Sequence, residues 1–144
     1  MSLAPHAIAV ETALLNALDQ VRGLKAQVRT AQNQPTSEFI SQYKMHALEL
    51  KSALKDARNH EGDLKSRAGK FPSVARTEEF RQLAPAISEA ERLNQQWEKQ
   101  SASTGYWRDS SRANSDLEQL ERRLSNALDK SKSFSLRMDI ATVS

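Results

Sequence analysis

At 144 residues the chain can enclose one packed core, and its 27% charged and 38% hydrophobic residues contain no apolar run approaching the ~20 residues of a membrane span. A formal charge of +3, from 21 basic and 18 acidic residues, is too balanced to name nucleic acid or an anionic bilayer as a partner. The absence of cysteine removes disulfides, thiol nucleophiles and thiolate metal sites, and a reducing compartment is compatible with it.

With only 4 Gly and 4 Pro, long helices are favoured over sheets, and the apolar rhythm agrees. Leu3, Ala7, Val10, Leu14, Ala17, Val21, Leu24 and Val28 alternate steps of four and three, which predicts a first helix over about 5–32. Pro5 suits its first turn, where a missing N–H leaves no helical bond unmade. Ile8, Leu15 and Leu18 are expected to widen the apolar stripe, so that this helix meets more than one neighbour. Gly23 reads as a tolerated cost of ~1 kcal/mol. Glu11 interrupts the first apolar run and the first basic residue is Arg22, a pattern unlike a secretory signal peptide. The expected location is therefore the cytoplasm, with export by a route that needs no signal peptide left open.

The longest seam belongs to the second predicted helix, over about 37–69: Ile40, Tyr43, Ala47, Leu50, Leu54, Ala57, Glu61, Leu64, Ala68 and Phe71. Thr36 or Ser37 caps its start, and Gly69 followed by Phe71-Pro72-Ser73 reads as a stop and a turn. With the preceding turn near Gln34, the two seams face each other in register, pairing Val28 with Ile40, Leu24 with Tyr43, Val21 with Ala47 and Leu14 with Leu54. A third helix is predicted over about 77–102, with Glu78 and Glu79 where the helix dipole favours carboxylates. Its seam is Phe80, Leu83, Ile87, Ala90, Asn94, Trp97, Ser101 and Thr104, and Pro85 predicts a kink or a true start near Ala84. A fourth, over about 108–140, carries Ala113, Leu117, Leu120, Leu124, Ala127, Ser131, Phe134 and Met138. These also pair in register with the third. The expected fold is all-α: a single domain over 1–144, an antiparallel up-down-up-down four-helix bundle made of two long coiled-coil-like hairpins.

Chemistry is scarce. No glutamate is followed three residues later by histidine, the helical di-metal pattern, and His46 and His60 fall on the predicted outer face, too far apart to share an ion. Glu61 is the one charged residue on its seam, read either as a buried acid of raised pKa or, preferentially, as a partner-specifying polar layer or a side chain reaching solvent toward Lys65. No nucleophile-base constellation or phosphate-cradling glycine loop occurs, so no enzyme, metal or cofactor is expected. The composition and seams point to a non-enzymatic protein-interaction or structural module of adaptor, scaffold or secretion-accessory type.

Three surfaces are candidates for contact. Phe71, Phe80, Phe134 and Met138 gather at one end, in layers the first helix starts too late to cover, and form the favoured site. Tyr106, Trp107 and Arg108 form a tip at the other end, with core capping the preferred reading of Trp107. The stripe of Lys44, Lys51, Lys55, Arg58 and Lys65 along the second helix carries the alternative function, contact with a membrane surface or nucleic acid, but no aromatic interleaves it for base stacking. The expected partner is another protein or a second copy of the chain, nucleic acid is disfavoured, and peripheral membrane contact is left open.

Overall fold

The computed structural model describes residues 3–31, 33–103 and 105–143, with side chains up to residue 137. All regular structure in these residues is helical. Helix α1 spans Ala4–Ala31, α2 Ser37–Ala68, α3 Pro72–Ala75, α4 Glu78–Ser101 and α5 Ser110–Val143, with a 3₁₀ turn at Tyr106–Arg108. No helix among the described residues is long and apolar enough to cross a membrane.

Local chemistry sets the helix starts. Thr36 is extended, and its hydroxyl accepts a bond from the Phe39 amide at 3.0 Å, which satisfies one of the amides left free at the first turn of α2. Thr77 does the same for Phe80 at 3.3 Å, and its hydroxyl donates back to the Val74 carbonyl at 2.7 Å. The Asp109 carboxylate accepts from the Arg112 amide at the head of α5. Helix α4 runs through Pro85, so the alternative start near Ala84 is not realised. The turn expected at 71–73 is instead the single helical turn α3, with proline at its start and Val74 buried.

Helix α1 packs against α2 and α5, and α4 packs against α5 and α2; the α2–α4 seam is the most sparsely joined of these four. The predicted seams supply the interior: Leu14, Leu24, Leu50, Leu54, Leu83, Ile87, Leu117, Leu120 and Leu124 are closed to solvent. Two details differ. Leu18 and Ala13 widen the α1 stripe, but Ile8 and Leu15 face solvent. At the start of α2, Phe39 occupies the core and Ile40 is half-buried, because Phe39 reaches the ring of Trp107, 5.2 Å away between centroids.

Gly23 has a use that its helix propensity hides. A Cβ built there would lie 3.0 Å from His46 Cε1, so the missing side chain makes room for the imidazole between α1 and α2. The ring is held there by a 2.7 Å bond between Nδ1 and the Gln20 side-chain oxygen. Gly23→Ala should therefore fail to deliver the ~1 kcal/mol normally gained on replacing a mid-helix glycine. The gain should return in a His46→Ala background. Urea unfolding of the four members of the cycle checks this, and equal effects in both backgrounds would refute the steric account.

Candidate functional site

The tip residues are mostly interior. Gly105, at φ 89°, turns the chain in a left-handed conformation that suits glycine and feeds the 3₁₀ turn inward. Trp107 is 5% exposed and sits within aromatic packing distance of Phe39, Tyr43, Trp97 and Tyr106. Its indole N–H donates to the Ser101 carbonyl at 3.1 Å, while the Tyr43 and Ser101 hydroxyls share a 3.0 Å bond. The Tyr106 hydroxyl donates to Asp116 at 2.7 Å, and the Arg112 guanidinium lies over its ring. Burial, reinforced by the Asp116 carboxylate, pushes the Tyr106 phenol well above its ordinary range, against the smaller opposing effects of Trp97 and the Arg112 charge. Of the predicted tip triad, only Arg108 is exposed.

The apolar end is more closed than the sequence suggests. Phe134 is 1% exposed and packs against Phe80 at 5.6 Å between centroids. Phe71 and Phe80 are half-buried, and the Met138 side chain lies outside the described residues. The layer expected to be short of one helix receives Val74 from α3.

The basic stripe borders a cleft. Along α2, Lys44, Lys51, Lys55, Arg58 and Lys65 follow one another at helical spacing and are all exposed. Across the sparse seam, Lys51 lies 4.0 Å from Glu98, and Arg58 lies 3.5 Å from Glu91. Between them runs a groove of about 280 Å³, floored by Leu54 and Asn94. Asn94 is 3% exposed; its amide donates to Glu98 at 3.2 Å, and its Oδ1 has no hydrogen-bond partner among the described residues. Toward the tip, α2 and the chain after α4 enclose a second hollow of about 520 Å³, walled by Ile40, Tyr43 and Trp107 and edged by Lys44 and Arg108. Lys44, Lys55 and Arg108 make no ion pair among the described residues.

The stripe also contains Leu48, 69% exposed and one turn from both Lys44 and Lys51, with Met45 beside it at 68%. Its helical spacing from the lysines is visible in the sequence, but the charge pattern alone does not mark a leucine. A further hollow of about 620 Å³ beside the α1–α2 connection is edged by amides and hydroxyls with Glu38 as its charged group.

No protein-family model, characterised protein or solved structure matches the chain.

Among the described residues no three His, Asp or Glu side chains converge as metal ligands. His46 and His60, expected on the outer face, are both half-buried. Glu61 is half-buried too: burial raises its carboxyl pKa above the ordinary value, and the Lys65 charge partly opposes this. A carboxyl that binds its proton more tightly when folded favours the native state at acid pH, and that contribution fades as pH rises from the unfolded to the folded pKa. Glu61→Gln should consequently stabilise the protein modestly at neutral pH and lose its advantage near pH ~4. Thermal melts of both proteins across that range check the prediction; an equal advantage at both ends would refute it.

Proposed function

We propose that the chain is a non-enzymatic protein-interaction module, an antiparallel up-down-up-down four-helix bundle whose α2 side receives the partner. Cross-helix contacts support the topology. Residue numbers rise on one helix as they fall on the other in the pairs Gln20 with His46 and Gln27 with Gln42, and again in Glu89 with Arg123 and Glu79 with Arg137. The observation that carries the role is the solvent row of α2, where Leu48 stands among Lys44, Lys51 and Lys55 at 69% exposure. Large apolar side chains held in water among cations, of which Lys44 and Lys55 make no ion pair among the described residues, lower their free energy by docking on a partner that brings both apolar surface and negative charge.

A photoreactive residue in place of Leu48, irradiated in the cells that make the protein, tests this. A discrete adduct with one protein, or with a second copy of the chain, is the expected result. Adducts confined to nucleic acid or lipid would favour the alternative reading of the stripe, and an absence of adducts would reject a docking role for this face.

A further inference from the structure

The hollow between the head of α2 and the chain after α4 carries a more specific assignment, which rests on the interaction role above. Its walls are Ile40, Tyr43 and Trp107, and its charged edge is Lys44 and Arg108, with no carboxylate in the lining. The walls are fixed before anything binds: the Tyr43 hydroxyl is tied to Ser101, and the Trp107 indole to the Ser101 carbonyl. A preformed apolar hollow edged by two unpaired cations suits an apolar side chain flanked by carboxylates. From Lys44 the cations continue to Arg58, roughly 20 Å along the helix at ~1.5 Å per residue. Along that course lies the groove lined by Leu54 and Asn94. A small anion would occupy one end of this track, whereas a peptide follows all of it. Glu91 and Glu98 already pair with Arg58 and Lys51, so the free positive charge is concentrated at Lys44 and Arg108, enough for the carboxylates of a short segment and too little for the repeated contacts of a phosphate backbone.

We infer that the α2–α4 cleft binds an acidic amphipathic segment of a partner protein, with an apolar side chain seated among Ile40, Tyr43 and Trp107 and its carboxylates on Lys44 and Arg108.

The test uses the full chain, labelled with ¹⁵N, and four probes. They are a synthetic amphipathic helix of Leu, Glu and Ala about four turns long, its twin with Lys for Glu, a DNA duplex, and phosphatidylserine vesicles. The acidic peptide should shift the amides of Ile40, Lys44, Ser103 and Arg108 and the Trp107 indole N–H, and the lysine twin should not. Lys44→Glu with Arg108→Glu, both at exposed positions, should weaken the acidic peptide about tenfold without altering the melt. Shifts scattered elsewhere, equal binding of the lysine twin, or the same shifts from DNA or vesicles but not from the acidic peptide would each overturn the assignment. The two readings fail separately. A protein adduct at position 48 that survives the double charge reversal keeps the interaction role and removes this cleft as its seat. Peptide binding at the cleft without any cellular adduct keeps the cleft and removes the role.

Discussion

Replacing Trp107 by alanine is expected to cost ~3–5 kcal/mol, the usual range for truncating a buried large aromatic, and to lower the melting temperature by roughly 10–15 °C. The size follows from its position. One indole touches four other rings, and its N–H anchors the last carbonyl of α4. Removing it opens a void bounded by three elements and leaves that carbonyl unpaired. Trp107→Phe separates the two contributions, since it keeps most of the ring packing and loses only the hydrogen bond, and should recover more than half of the loss. Differential scanning calorimetry on the three proteins decides it. A Trp107→Ala protein that melts like wild type would mean that the indole is dispensable to the fold.

Leu54→Ala comes next, at ~2–5 kcal/mol. Leu54 is 2% exposed and forms part of the floor of the groove between α2 and α4, where the seam is thinnest. That location distinguishes it from Leu14 or Leu120, which are fully enclosed and should leave a dry cavity when truncated. Beneath an open groove the surroundings can relax and water can enter, so Leu54→Ala should fall toward the lower half of the range and Leu120→Ala toward the upper half. Chemical denaturation of the two variants measures the difference. A larger loss at Leu54 than at Leu120 would contradict the unequal seams.

The long helices were legible in the sequence because their signal is repeated many times. Each heptad restates the same face, so the period alone assigns Leu14, Leu50, Leu54, Leu117, Leu120 and Leu124 to the core, where the structure has them. What escaped were features resting on a single residue. Phe39 displaced Ile40 because of one ring-to-ring contact with a residue far along the chain, which no local period reports. Gly23 looked like a cost because propensity is a property of one helix, whereas the ring it accommodates belongs to another. Val74 and its one-turn helix are too short for periodicity to register. The candidate site was legible in part. The cations were found, but the groove they border depends on how closely α2 approaches α4, and a sequence pattern cannot express a distance between faces. Core capping, the preferred sequence reading of Trp107, agrees with its burial; Tyr106 is buried as well, because aromatic residues beside a glycine turn can point either way and the left-handed Gly105 turns both inward.

The connection before α2 and the head of α5 are joined by a reciprocal pair of bonds. The Asn33 amide donates to the Ser110 hydroxyl at 2.8 Å, and the Ser110 amide donates to the Asn33 side-chain oxygen at 2.7 Å. Asn33 adopts a left-handed φ of 67°, which asparagine accepts more readily than most residues. Two amides in solvent-facing connections thereby have partners from a remote part of the chain. In deuterated solvent their protons should exchange at rates set by separation of the two connections rather than by local fraying, so that a pair of loop amides reports on how often this end of the molecule comes apart.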